Sequence, residues 1–220
     1  MKVMVISPHP DDETLGCGAT LLKHKKRKDK IYWMNVTTAD RSNGYSKQFT
    51  IRREKEIKKV LKAYNFNGYL NLNYPTKYLD QVPTSKLIQS FNEYINKIKP
   101  EKLFIPSSSD IHSDHKIVSS ICHNFTKSFR YSFIKKILAY ETLSETNFNF
   151  NKENIFFPNV FEDVTKFLNK KLKILKIYKS EIKSHPFPRS KESVKSLAIL
   201  RGSQSGFKYS EAFELIKEVK

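Results

Sequence analysis

Ser7-Pro8-His9-Pro10-Asp11-Asp12-Glu13 follows the apolar run Val3-Met4-Val5-Ile6 and precedes Thr14-Leu15-Gly16-Cys17-Gly18-Ala19-Thr20-Leu21-Leu22. The first run reads as a buried strand and the last as a helix. A histidine and a set of carboxylates therefore share a tight strand-to-helix turn, where open α/β sheets keep their ligands. Pro10 stiffens the bend and bars its predecessor from helix. His9 and Asp12 are three residues apart and can aim at one ion, leaving Asp11 free for proton transfer. Acidic residues also gather in first helical turns because they offset the helix dipole. On its own, then, this stretch also fits an ordinary helix start.

Outward from it, strands and helices alternate. Strands are expected at 2–7, 31–36, 69–72, 102–106 and 136–140. Helices are expected at 12–25, 51–64 and 84–98, and again after residue 115. Ile57, Val60, Leu61 and Tyr64 keep the spacing of one buried helical face. Thr37 to Thr50 reads as a long polar loop containing Asp40, Arg41, Asn43 and Gly44. The pattern predicts an α/β, Rossmann-like three-layer fold with a mostly parallel sheet and right-handed crossovers over 1–140. Residues 141–160, rich in Asn and Phe, read as loop or edge strand. The rest is expected to be a helical C-terminal elaboration, with helices near 163–183, 190–200 and 209–219. Arg201-Gly202-Ser203-Gln204-Ser205-Gly206-Phe207 reads as a loop between the last two, suited to approaching a ligand. The whole of 1–220 is read as one domain, with 141–220 shaping the substrate end.

Hydrophobic residues make up 39% of the 220 and aromatics 13%, the composition of a folded globular chain. No apolar run approaches the ~20 residues of a membrane span. The N-terminal apolar stretch ends at Ile6, so no signal peptide is expected. Cys17 and Cys122 read as small buried packing residues, and a reduced, cytoplasmic setting is the expectation. The net charge of +18 comes largely from lysines on polar helix faces, as in 23–30 and 170–179. No Arg-rich tract interleaves with aromatics and no helix-turn-helix or zinc-finger spacing occurs, so no nucleic-acid partner is expected. A solvated surface is the favoured reading, with steering of anionic substrates as an addition.

The second informative stretch is Ser107-Ser108-Ser109-Asp110-Ile111-His112-Ser113-Asp114-His115, after the strand 102–106. In a parallel sheet every strand-to-helix turn lies on the same edge, so the two stretches meet if their strands are neighbours. Two imidazoles and a carboxylate make a catalytic zinc set with an open position for water. His9, Asp12 and His115 are assigned to it, with His112 an alternative ligand that spacing does not exclude. The same donors also suit Fe(II). Asp11 is then the general base and His112, as an imidazolium, the oxyanion donor. Asp114 is expected to orient His112, and Glu13 to cap the helix.

Pro8 to Glu13 together with His112-Ser113-Asp114-His115 resembles the LmbE/PIG-L zinc-dependent de-N-acetylases. The likeness extends to Leu15-Gly16-Cys17-Gly18, Arg53-x-x-Glu56, Ser109-Asp110, and Arg201-Gly202 through Ala212-Phe213. It implies removal of the acetyl group from an N-acetylated sugar or sugar conjugate. His9, Asp12 and His115 would be the metal ligands, Asp11 the base and His112 the oxyanion donor. It also implies substrate contact by Arg53. Arg201 and the lysine content suggest a phosphate-bearing substrate, such as a nucleotide sugar of surface-glycan synthesis. An amidase acting on another small amide, such as a thiol-sugar adduct, is the alternative. A non-enzymatic basic binding protein is the more distant one. Gly16-Cys17-Gly18 lacks the third glycine of a dinucleotide fingerprint, so NAD is not expected.

Overall fold

The computed structural model describes residues 1–39 and 44–220. Asp40, Arg41 and Asn43 of the long polar loop lie outside the described residues. Strands β1 (Lys2–Ser7), β2 (Lys30–Thr38), β3 (Gly68–Pro75), β4 (Lys102–Pro106), β5 (Lys136–Tyr140), β6 (Val160–Asp163) and β7 (Ser210–Glu218) form one sheet. Its order is β3-β2-β1-β4-β5-β7-β6. The first five strands run parallel, and β7 runs antiparallel to both β5 and β6. Helices are α1 (Asp12–Lys26), α2 (Lys47–Tyr64), α3 (Thr84–Ile98), α4 (Ser113–His123), α5 (Leu168–Leu175) and α6 (Lys191–Ser205).

The central strand shows why the sheet is covered on both faces. On β1, Met4 and Ile6 join a core with Phe91 of α3 and Val118 of α4. Val3 and Val5 join the opposite core with Leu21 of α1, Val60 of α2 and Trp33. A strand buried on both faces reads as a continuous apolar run, the signature of a parallel sheet. Ser46 caps α2 by accepting the Phe49 amide at 3.2 Å, so that helix starts four residues earlier than its apolar spacing suggests. Gly16 sits where α1 presses on Tyr140 of β5, and a Cβ there would lie 2.2 Å from the ring.

The C-terminal expectation needs correcting. Residues 210–218 form a strand, not a helix. Glu, Ala, Leu and Lys favour helix locally, but β5 offers an open edge. There β7 pairs with β5, and Phe213 packs 5.1 Å from Phe104. The predicted helix over 163–183 shrinks to α5, preceded by β6 and followed by turns. The predicted 201–207 loop is mostly the last turns of α6, which ends at Gly206 with φ +75°.

Candidate active site

In this strand order the sheet reverses direction of growth between β1 and β4, which pair directly. The crevice at such a switch point is where ligands bind. The turn after β1 carries Pro8 to Glu13, and the turn after β4 carries Ser107 to His112. The two stretches therefore meet.

Three donor atoms converge there. His9 Nδ1 lies 3.5 Å from Asp12 Oδ2, and His115 Nε2 lies 3.3 Å from the same oxygen. The two imidazole nitrogens are 3.2 Å apart. A tetrahedral ion with bonds of ~2.0–2.1 Å needs donors about 3.3 Å apart, so the set fits a zinc-sized cation. The remaining nitrogens are held from outside. Asp114 Oδ2 is 2.9 Å from His9 Nε2, and Asp110 Oδ2 is 2.7 Å from His115 Nδ1. Carboxylates in these positions fix the tautomer and direct the free lone pairs inward.

The electrostatics agree. Burial opposes a charge on His115, but Asp12 and the Asp110 hydrogen bond outweigh it and hold its pKa well above the ordinary imidazole value. Burial likewise opposes ionisation of Asp12, and His115 and His9 overcome it, driving that pKa down. The carboxylates thus make this point of the cleft favourable to positive charge.

Asp11 is buried beside this set and contributes no donor atom to it. Its φ of +124° is a strained value for a non-glycine residue. Burial first, then the Asp12 charge, raise its pKa well above the usual carboxylate range. Arg189 Nη1 approaches Asp11 Oδ2 at 3.4 Å. Glu13 accepts the Asp11 amide at 3.0 Å and so caps α1. It also accepts the Thr14 and Tyr178 hydroxyls, and burial pushes its pKa up to about 7.

His112 faces the same cleft but differs from expectation in two ways. Its Nδ1 accepts the Asp114 backbone N–H at 3.1 Å, capping α4. The Asp114 carboxylate is elsewhere, on His9 and on the Lys77 amide at 2.7 Å, so the Asp114 main chain, not its side chain, orients His112. Burial and the neighbouring His9 and His115 lower the His112 pKa to about 4, so the ring is neutral and its Nε2 carries the proton. His9, His112 and Asp114 make a second group of donor atoms within 4.8 Å of one another, so His112 stays the alternative ligand.

The cleft above these residues has a volume of about 350 Å³. Arg53, Tyr45, Phe49, Lys77, Glu145, Glu181 and Arg189 are among the residues of its walls. Residues 4–126 match the family model PIG-L, described as GlcNAc-PI de-N-acetylase. The chain belongs to the PIG-L family.

This PIG-L chain is 26% identical over 184 residues to YaiS, named an uncharacterized deacetylase, of Escherichia coli strain K12, covering 81% of this chain and 90% of that protein. It shares its fold with N,N'-diacetylchitobiose deacetylase from Pyrococcus horikoshii (21% identity, TM-score 0.76, 98% of this chain and 83% of that one). It shares it equally with GalB, the 4-carboxy-2-hydroxymuconate hydratase of Pseudomonas putida KT2440 (14% identity, TM-score 0.77, 100% and 97%). A fold common to a deacetylase and a hydratase leaves the reaction to the site. Family membership makes the chain an enzyme of the deacetylase type.

Two arginines stand out in this PIG-L site. Arg53 lines the cleft, but Nη1 donates to the Pro10 carbonyl at 3.0 Å and Nη2 to Glu181, so it braces the turn that carries the donors. Arg201 does not reach the cleft. It forms a two-pronged pair with Glu141, 2.8 and 2.6 Å, beside a separate small cavity. The helix α6 runs through Arg201, which points it at the end of β5 instead of into the site. Arg189 and Glu181 are not singled out from sequence, and Asp110 enters there only as part of the family likeness, with no role assigned. Asp110 lies five residues before His115, a spacing that could have found it. Arg189 sits in an irregular turn far along the chain and carries no signal.

Proposed function

We propose that this chain is a zinc-dependent hydrolase that removes the acetyl group from the nitrogen of an N-acetylated sugar. The observation that carries this reading is the His9 Nδ1, Asp12 Oδ2 and His115 Nε2 triangle with Asp11 buried alongside and outside it. Those three atoms would hold the ion. When bound, zinc polarises a carbonyl oxygen and lowers the pKa of coordinated water to about 7. Asp11 takes a proton on its carboxylate from the attacking water and passes it to the departing amine nitrogen. His112 donates its Nε2–H to the carbonyl oxygen as that oxygen becomes negative, acting as a neutral donor. Asp110 and Asp114 keep the two ligand rings in place, and Arg53 keeps the Pro10 turn in place.

The test is a panel of N-acetylated sugars, neutral and nucleotide-linked, with products identified by mass spectrometry. Protein stripped by a chelator should release no acetate and regain turnover on addition of one equivalent of zinc. Full turnover by metal-free protein would overturn the proposal.

A further inference from the structure

Beside the cleft lies a second concavity. Arg53–Glu181 and Glu56–Ser180 tie α2 to the turn that follows α5. Arg53 and Glu181 face the cleft, whereas Glu56 and Lys179 face a groove of about 320 Å³. Its banks are two rows of cations. Arg52, Lys55 and Lys59 project from α2, and Lys173, Lys176 and Lys179 from α5 and the turn beyond it. All six are exposed. Among the described residues, none of their side chains makes an ion pair or hydrogen bond with another residue. Among the described residues that line it, the one carboxylate, Glu56, is buried and already accepts the Ser180 amide and hydroxyl at 3.4 and 3.0 Å.

Such an arrangement opposes itself. Lys55 and Lys59 are four residues apart on one helix, where like charges repel. A second cationic row faces them. The repulsion is relieved by an anion that several of these groups can reach at once. Arg52 to Lys59 spans about 10 Å of helix, the length of a short linear anion. Lysines supply mobile point charges suited to phosphate. The volume lies at the lower end of small-ligand sites, about 300–1,000 Å³. A flat membrane surface does not enter a concavity, and the lining has no aromatic ring on which a nucleic-acid base could stack.

We propose that this groove binds an oligophosphate: a linear di- or triphosphate, free or at the end of a larger molecule. The assignment is independent of the reaction in the cleft. Calorimetric titration with sodium tripolyphosphate at low ionic strength tests it. The wild-type chain should show one saturable site. Lys55→Gln/Lys59→Gln/Lys176→Gln should weaken it at least about tenfold. Lys26→Gln/Arg27→Gln/Lys28→Gln removes the same charge from exposed positions at and just beyond the end of α1 and should stay within about twofold of wild type. Lys59→Gln alone should weaken binding by a smaller step, so the result does not rest on the folding of the triple variant. Equal losses in the two triple variants would overturn the proposal, as would binding that never saturates. So would groove-dependent binding to phosphatidylglycerol vesicles or oligothymidylate without any to tripolyphosphate.

Discussion

The Asp114 carboxylate serves His9: its Oδ2 lies 2.9 Å from His9 Nε2, across 105 residues of sequence. It thereby holds one ring of the candidate metal set, while its own main-chain N–H supports the neighbouring His112. Asp114→Asn should weaken zinc affinity about 10–100-fold, the usual effect of removing such a partner. Asp110→Asn should do the same through His115. Competition with a chromophoric chelator measures both, and unchanged affinity in either would remove that residue from the role.

Asp11→Asn should separate binding from chemistry. The donor triangle does not include Asp11, so zinc stoichiometry should stay at wild type. Turnover should fall by ~10²–10⁴-fold, the contribution of a positioned acid–base group. Elemental analysis and steady-state rates on one preparation decide the matter, and an active variant would exclude Asp11 as the base.

Glu13 makes stability depend on pH. Burial raises its pKa from 4.5 to about 7 in the folded chain. The folded state therefore binds the proton more tightly than the unfolded state. The stabilisation is complete below pH 4.5 and is lost as pH rises through about 7. A shift of that size corresponds to about 3 kcal/mol. Urea unfolding from pH 4 to 8 should show wild type losing roughly this much relative to Glu13→Gln. Parallel curves would contradict the assignment.

Arg201→Ala should act on stability and leave catalysis alone. Its pair with Glu141 is largely shielded, and removal strands the carboxylate. A loss of about 1–3 kcal/mol is expected, with KM and kcat close to wild type. A rise in KM without loss of stability would restore Arg201 as a substrate contact.

The parts legible in sequence are those governed by local pattern. The buried run before His9, the turn chemistry of Pro10, and the second His/Asp cluster after β4 each follow from neighbours in the chain. The adjacency of β1 and β4 that joins the clusters is tertiary, and sequence supplied it only as a condition. Where local and tertiary preferences conflicted, local reading failed. Residues 210–218 carry helix formers, yet β5's unpaired edge draws them into the sheet as β7. The partners of Asp114 and Arg189 were hidden for a simpler reason. His9 and Asp11 lie more than a hundred residues from them, and no periodicity records a contact at that range.

The triangle of donors hangs from two neighbouring central strands locked by main-chain hydrogen bonds, whereas Glu145, Glu181 and Arg189 reach the cleft from peripheral turns. The sheet thus sets where the donors stand, whereas the far wall of the cleft is set by turns that belong to no strand.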